Sequence, residues 1–232
     1  MRPEDLDRIR GLPLFSALQP ECFEQLMEPS FLQRFPAAVE LVREGDPADF
    51  LYVIVDGAVE LYAHANGRES SLLIATPVST FILAAVLRDA VYLMSARTLE
   101  ASRLLMIPAE VVRASIASDS AFAVAMIDEL ARAFRSVIKL AKNHKLRTGV
   151  ERLANYLLQL DAEKDGCADL VLPIEKRLLA SLLGMTPENL SRAFATLRPY
   201  GVQVEGSLIR LTRIEDLRTL AKTTPLIDDP RI

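Results

Sequence analysis

The chain has 232 residues, half of them hydrophobic and a quarter charged, which is the composition of an ordinary soluble protein of one or two domains. Its net charge of −4 excludes a chain that attracts nucleic acid through its overall charge, although a local basic face is enough for DNA binding. Two distant cysteines, Cys22 and Cys167, exclude a disulfide scaffold and a four-cysteine iron–sulfur or zinc site. A charged N-terminus without a signal region, and apolar runs too short for a bilayer, predict a cytoplasmic protein with no membrane partner.

The first section of the chain is rich in predicted strands. After a short helical lead from Asp5 to Leu26, β-branched and aromatic runs alternate with turn signals at residues 44–47, 56–57 and 66–67. The Asp56-Gly57 pair, between YVIV and AVELY, predicts a β-hairpin. Strands at this regular spacing predict a small antiparallel roll or sandwich.

The second section predicts one long helix that starts near Ser120. Its apolar residues recur at steps of three and four, with charged residues outside the stripe. One interpretation is a helix that lies on its own domain. The favoured interpretation is a homodimer seam formed by Met126, Leu130, Phe134 (or Ala133), Val137 and Ala141.

The third section begins where Asn143-His144-Lys145 interrupts that stripe. An amphipathic helix is predicted over residues 146–166, then a short strand from Leu170 to Pro173, then helix, tight turn and helix. Residues 201–211 predict a two-stranded wing that turns at residues 205–207. The predicted fold is therefore α+β. Its domains are an antiparallel β-roll at 1–118, a dimerisation helix with hinge at 119–144, and a winged helix-turn-helix at 145–232.

The second helix of that helix-turn-helix carries the candidate base-reading residues. Thr186 can N-cap it and Pro187 suits its first position. In such a module this helix enters the major groove with its N-terminus first. Arg192 can donate two hydrogen bonds to guanine, Glu188 can accept from cytosine and Ser191 can bond in either sense. The alternative is an intrahelical Glu188–Arg192 pair worth only about 0.2–0.5 kcal/mol.

Charge is distributed unevenly between the sections. From residue 146 onward the chain is neutral, so the first 145 residues carry the whole net charge of −4. The acidic part is not the part expected to touch DNA. Contacts to phosphates would set the position on the duplex and the salt dependence. The candidates for these contacts are Lys176, Arg177, Thr186, Arg198 and Arg210.

The whole chain resembles the CRP/FNR superfamily of bacterial transcription regulators. The matching residues are Arg43 to Asp46, Leu51 to Val53, Asp56 to Leu61, Leu99-Glu100, Ile107-Pro108 with Glu110, Arg152 to Ala154, Leu157-Leu158, and Glu188 to Arg192. The resemblance implies a cyclic-nucleotide-binding-like roll, a dimerisation helix and a DNA-binding domain whose dimer binds a palindrome and contacts RNA polymerase. The spacing from Glu188 to Arg192 is similar to the FNR branch. It implies a TTGAT-N4-ATCAA-like site with Arg192 on the guanine, while Pro187 stands where the cyclic-AMP branch has a further base-reading arginine.

By the same resemblance, the roll lacks the residues that hold a cyclic nucleotide. Phe81-Ile82 replace the family's Gly-Glu pair, and Tyr92-Leu93 replace its Arg-Ser pair. A buried phosphate would then have no fixed cation, which is costly. Arg88 is expected in a turn and Arg97 out of register. The prediction is that cyclic AMP is not bound.

The corresponding region is instead apolar. Its members, together with Val91, are Phe81, Ile82, Leu83, Val86, Leu87, Tyr92, Leu93 and Met94. One interpretation is plain core packing, and the other is a pocket for an uncharged effector or a flat apolar cofactor such as haem. Haem needs an axial ligand. Weak candidates are His64 and His144, beside Met94, Tyr92, Cys22 and Pro3.

The segments at residues 93–97, 105–108 and 184–191 are similar to the Nnr-type subgroup, which implies nitric oxide as the signal, through haem, and control of denitrification genes. The leading hypothesis is a dimeric DNA-binding regulator, mainly an activator, whose two DNA-binding domains reorient about residues 143–145. The alternative is a regulator of the same type controlled by its own abundance. An enzyme is the third hypothesis, but no phosphate loop, HExxH motif or nucleophile elbow supports it.

Overall fold

The computed structural model describes residues 1–164 and 169–229, so Cys167 lies outside the described residues. The chain forms two compact units, Met1–Phe134 and Arg135–Ile232. The division falls within the long helix, ten residues before the predicted boundary at 144. Each unit has its own buried hydrophobic cluster.

The first unit begins with two short helices and continues as strands with two helical insertions. Its helices are α1 (Pro3–Arg10), α2 (Pro20–Met27), α3 (Leu83–Arg88) and α4 (Ala109–Ser118). Its strands are β1 (Phe31–Phe35), β2 (Glu40–Val42), β3 (Phe50–Asp56), β4 (Val59–Ala65), β5 (Arg68–Ala75), β6 (Ser79–Phe81), β7 (Ser95–Thr98) and β8 (Ser102–Pro108).

The strands form two four-stranded antiparallel sheets, in the orders β1-β8-β3-β6 and β2-β7-β4-β5. Side chains of both sheets, among them Val53 of the first and Val59 and Leu61 of the second, belong to one buried cluster, so the core includes the space between the sheets. The central strand β3 is buried on both faces, since all residues from Leu51 to Val55 belong to that cluster. The predicted antiparallel roll is confirmed.

The turn between β4 and β5 is a two-residue hairpin. Ala65 pairs with Arg68, and both central residues have positive φ, +53° at Asn66 and +71° at Gly67. This is the geometry that an Asn-Gly pair favours, because the twist of such a turn matches the twist of the strands.

The hairpin predicted at Asp56-Gly57 is wrong. β3 pairs with β6 and β8, whereas β4 pairs with β5 and β7, so this turn leads the chain from one sheet to the other. Gly57 has a φ of +92°, and a Cβ there would come within 2.3 Å of the Ser102 side-chain oxygen. Glycine is thus required by a close approach between strands, and not by a hairpin.

The long helix α5 runs from Ser120 to Leu146 and passes through residues 143–145 without a break. Asp119 precedes it and accepts backbone hydrogen bonds from Ala121 and Phe122, which satisfies donors at the helix start. Thr148 begins the next helix with a capping box, because its side chain and that of Glu151 exchange hydrogen bonds with each other's backbone amides.

The second unit holds the remaining elements. They are α6 (Gly149–Glu163), β9 (Asp169–Val171), α7 (Lys176–Leu182), α8 (Pro187–Leu197), a 3-10 turn (Arg198–Tyr200), β10 (Val202–Glu205), β11 (Leu208–Leu211), α9 (Ile214–Ala221) and α10 (Pro225–Asp228). The predicted wing is confirmed, since Glu205 pairs with Leu208 across the turn, and β9 joins as a third strand. Within the described ranges, no helix is both long and apolar enough to cross a membrane.

Candidate nucleic-acid interface

The helices α7 and α8 are joined by a four-residue turn. Gly184 has a φ of +61°, and the Met185 amide donates to the Ala180 carbonyl at 2.8 Å, so the chain reverses directly after α7. The Thr186 side chain then accepts from the Asn189 amide at 3.3 Å, and Pro187 occupies the first turn. The predicted N-cap is confirmed, and it fixes where α8 begins.

One face of α8 is buried and the other is exposed. Its apolar residues Leu190, Phe194 and Leu197 pack in the hydrophobic cluster of the second unit. Glu188, Ser191 and Arg192 are all exposed and lie on the opposite face of the first two turns. The structure therefore brings the three predicted base-reading side chains together at the N-terminal end of this helix.

Glu188 and Arg192 are not partners in any ion pair that the described residues form. The predicted alternative, an intrahelical pair, is thus not the arrangement in this structure. Side-chain hydrogen bonding with Thr186, then a hydrogen bond with the Glu188 backbone, lowers the pKa of Glu188, and the charge of Arg192 contributes less. Its carboxylate is therefore ionised at neutral pH and can only accept hydrogen bonds, as contact with a cytosine amino group requires.

The phosphate-contact candidates divide into two groups. Lys176, Arg177, Thr186 and Arg198 are exposed, and Lys176, Ser191 and Arg198 line a cavity of about 190 Å³ beside α8. Arg210 differs, because its guanidinium donates to both carboxylate oxygens of Asp169 at 2.6 and 3.2 Å. The positive charge of Arg210 is balanced within the protein, which makes it the weakest of the five candidates.

Known proteins match both units. The sequence pattern of the Cyclic nucleotide-binding domain matches residues 32–119, and that of the Crp-like helix-turn-helix domain matches residues 151–222. The chain is a CRP/FNR-type transcription regulator. The regulator thus combines a nucleotide-binding-type roll with a helix-turn-helix on one chain. Regulators of this family are generally not enzymes.

Individual relatives are distant but cover most of the chain. The regulator is 24% identical over 215 residues to the CRP-like cAMP-activated global transcriptional regulator of Mycobacterium tuberculosis, covering 90% of this chain and 96% of that one. It is 26% identical to a putative cAMP-binding regulatory protein of Silicibacter pomeroyi, with a TM-score of 0.58 and coverage of 94% and 100%. A regulator of the crp/fnr family from Eubacterium rectale shares the fold, with a TM-score of 0.75, 19% identity and coverage of 91% and 99%.

The predicted effector region is mostly packed into the core of the roll. Phe81, Leu83, Val86 and Tyr92 are each at most 5% exposed, and the Phe81 ring stacks on Tyr52 with centroids 5.1 Å apart. Ile82, Leu87 and Met94 pack against the same cluster. Leu93 is 76% exposed, so it does not face the roll interior with the others.

Arg97 lies on the outer face of the second sheet. Its Nε donates to Glu60 at 2.7 Å, and its two terminal nitrogens donate to Glu69 at 3.3 and 2.8 Å. The Glu60 side chain is only 1% exposed, so this arginine supplies the countercharge that a buried carboxylate needs. Arg88 is exposed at the end of α3.

The two histidines belong to different units of the chain. His64 is on the outer face of β4, with its Nε2 3.2 Å from Glu69. His144 belongs to the second unit, where a Cβ at position 184 would meet its ring at 2.9 Å. Burial, followed by the positive charge of Arg152, lowers the pKa of His144, so its ring is neutral at pH 7. Within the described part of the chain, no three His, Cys, Asp or Glu side chains group as metal ligands would.

The predicted seam on α5 is partly corrected. Met126 is 1% exposed and packs in the core of the first unit with Phe122, so it cannot contact a second chain. The exposed apolar side chains form a neighbouring stripe. Its members are Val124, Ile127, Leu130, Phe134, Val137 and Ile138, with the small Ala141 one turn further on.

The sequence did not single out the contacts that hold the helix-turn-helix in place. Arg152, on α6, donates from Nε to the Leu183 carbonyl at 2.8 Å and from Nη1 to the Arg147 carbonyl at 2.7 Å. It thereby joins the turn before α8 to the residue that follows α5. The only sequence signal for this role was the presence of Arg152 within the segment that resembles the family.

Proposed function

We propose that this regulator binds a palindrome of the form TTGAT-N4-ATCAA as a homodimer, with Glu188, Ser191 and Arg192 reading bases in each half-site. The observation that carries the proposal is the exposure of these three side chains together on the first two turns of a capped α8. Arg192 donates to guanine O6 and N7, Glu188 accepts from a cytosine amino group, and Ser191 bonds an adjacent base edge.

Phosphate contacts place this helix in the groove. The exposed side chains that can make these contacts are Lys176, Arg177 and Arg198. The logarithm of the binding constant should then fall with the logarithm of the salt concentration, with a slope of about −0.9 for each phosphate neutralised. Thr186 would add a hydroxyl contact at the helix start. Binding to chromosomal DNA would place the protein in the cytoplasm, as the sequence predicts.

The palindrome calls for two copies of the chain, because a two-fold dimer presents the same reading helix to each half-site. The apolar stripe on α5 supports such a dimer, since its large side chains are exposed in the single chain. By resemblance, the bound dimer contacts RNA polymerase and acts mainly as an activator.

The direct test is a fluorescence titration of the protein with the TTGAT-N4-ATCAA duplex and with a duplex whose half-sites are scrambled. We expect binding to the palindrome to be tighter by about a thousandfold or more, as is usual for specific readout. Repeating both titrations at several salt concentrations separates the phosphate contribution from base recognition. Equal affinity for both duplexes would contradict the proposed readout.

For the signal, we propose a small uncharged molecule, with nitric oxide as the candidate that the resemblance implies. Arg97 donates to Glu60 and Glu69, so its charge is already paired within the protein. This supports an uncharged signal over one with a phosphate, in agreement with the prediction that cyclic AMP is not bound. Haem remains part of this proposal, and the pairing of His64 with Glu69 argues against His64 as its axial ligand. The second candidate is control by abundance without a ligand, and the stacking of the buried Phe81 on Tyr52 supports it.

One experiment separates these possibilities. The protein is mixed with haem, its absorption spectrum is recorded with and without nitric oxide, and palindrome binding is measured in each state. A haem Soret band that shifts with nitric oxide, together with a change in affinity, would support haem-based sensing. Tight palindrome binding by the protein alone, unchanged by haem and nitric oxide, would support control by abundance.

A further inference from the structure

Residues 223–229, here called the C-terminal tail, lie beyond the helix-turn-helix match, which ends at residue 222. The buried hydrophobic cluster of the second unit also ends before the tail, with Ala221 as its last member. The tail therefore contributes little to the core that holds this unit together. The tail makes mainly polar contacts. Those described below join residues of the second unit only.

The strongest tail contact is an ion pair with the junction between α5 and α6. Arg147, one of the two residues between those helices, donates to both carboxylate oxygens of Asp228 at 2.7 and 2.6 Å. The side chains are only 5% and 15% exposed. The Thr224 amide donates to the same carboxylate at 2.7 Å, so Asp228 also closes the turn of its own helix α10. A bidentate, mostly buried ion pair fixes both the distance between the two side chains and their relative orientation.

Two lysines of α5 extend this contact along the helix. Lys139 donates to the Asp229 carbonyl at 2.7 Å, and Lys142 donates to the Leu226 carbonyl at 3.4 Å. Asn143 lies on the same side of α5 and accepts from Arg147 at 3.1 Å. Val137 and Ile138 of the stripe remain 59% and 45% exposed beside the tail. The tail thus holds the last turns of α5 while leaving the apolar stripe exposed.

The contact continues from Arg147 to the reading helix. The Arg147 carbonyl accepts from Arg152, whose Nε donates to the Leu183 carbonyl in the turn before α8. Asp228, Arg147, Arg152 and Leu183 therefore form one series of hydrogen bonds, which runs from the tail to the start of the DNA-reading element. Arg147 also donates to the Lys222 carbonyl, just after α9, at 3.4 Å.

We infer that the C-terminal tail is a positioning segment that sets the half-site spacing the dimer accepts. In a dimer paired along α5, the angle of α8 to the last turns of α5 determines the distance between the two reading helices. That distance selects the number of base pairs between half-sites. The inference rests on the proposed palindrome binding. In it, the tail determines which spacing between half-sites is accepted, and α8 determines which bases are recognised.

The test measures affinity for palindromes with spacers of two to six base pairs. We expect the wild type to prefer the four-base-pair spacer by at least about tenfold, because a misplaced half-site loses its base contacts. In Asp228→Asn, and in a chain ended after Lys222, we expect that preference to shrink to less than about threefold. The penalty for changing the guanine of a half-site should stay as in the wild type, because α8 itself is unchanged.

Controls separate positioning from folding and from the proposed function. Asp216→Asn, which removes an exposed carboxylate paired with Arg213 in α9, should keep the wild-type spacer preference. Circular dichroism melts verify folding, and the shortened chain retains the whole core cluster. If the variants keep the wild-type spacer preference while half-site readout persists, the inference is overturned and the proposed function stands. If the wild type itself does not recognise the palindrome, both are overturned.

Discussion

Replacing Arg192 by alanine is expected to abolish specific recognition of the palindrome. Arg192 is exposed on α8 and takes part in none of the ion pairs that the described residues form, so the variant should fold normally. A bidentate arginine–guanine contact contributes about 1–3 kcal/mol of discrimination, and the dimer makes it twice. The loss is therefore about 2–6 kcal/mol, or roughly thirtyfold to ten-thousandfold in affinity. A fluorescence titration with the TTGAT-N4-ATCAA duplex measures it.

Two comparisons show whether Arg192 reads a base or only attracts phosphate. The wild type should bind weakly to a duplex that has adenine in place of the guanine. The variant should bind this duplex and the original duplex equally well. Arg177→Ala removes an equal charge from the exposed surface of α7. It should weaken binding to all duplexes alike and reduce the salt slope by about two, because the dimer carries this residue twice. If Arg192→Ala behaves in the same way as Arg177→Ala, the assignment of Arg192 to base reading is wrong.

Features set by neighbouring residues could be predicted from the sequence. Thr186 and Pro187 define the start of α8 through one cap and one fixed φ, both local effects. Asn66 and Gly67 define their hairpin because a two-residue turn between paired strands demands positive φ at both positions. The exposed face of α8 then follows from the helical repeat alone. The prediction of these elements, and of the candidate base-reading residues, depends on such local signals.

Features that depend on distant residues could not be predicted in this way. Asp56-Gly57 has the chemistry of a hairpin, but whether the next strand joins the same sheet is decided by pairing partners far along the chain. The Arg147–Asp228 pair joins residues 81 positions apart, and many exposed arginines and aspartates could have formed such a pair. Tertiary packing alone selects one pair, so the role of the tail emerged only from the structure.

The α5 helix shows a third kind of difficulty, because it has two adjacent apolar faces. Phe122 and Met126 face the core of the first unit, while Ile127 and Phe134 face outward. The helical repeat detects apolar residues at steps of three and four but does not say which surface each one covers. Met126 was therefore assigned to the seam, although the predicted Leu130, Phe134 and Val137 are exposed.

Replacing Phe134 by aspartate is expected to convert the dimer into monomers. Phe134 is 64% exposed in the single chain and lies in the middle of the outward stripe of α5. Burial of a phenylalanine stabilises by about 1.5–3 kcal/mol, and a two-fold interface buries it twice. Losing about 3–6 kcal/mol should raise the dimer dissociation constant at least about a hundredfold, before the cost of burying two carboxylates is added. Sedimentation velocity over a range of concentrations measures this change.

Ser136→Asp is the matched control, because it adds the same carboxylate two residues further along α5. Ser136 is exposed, and two positions along a helix turn the side chain by about 200°, away from the stripe. We expect this variant to remain dimeric and to bind the palindrome. The Phe134→Asp monomer should lose most of its affinity for the palindrome and retain only weak half-site binding, because the second reading helix is no longer held in place. A Phe134→Asp protein that sediments as a dimer would show that the chains pair through a surface other than this stripe.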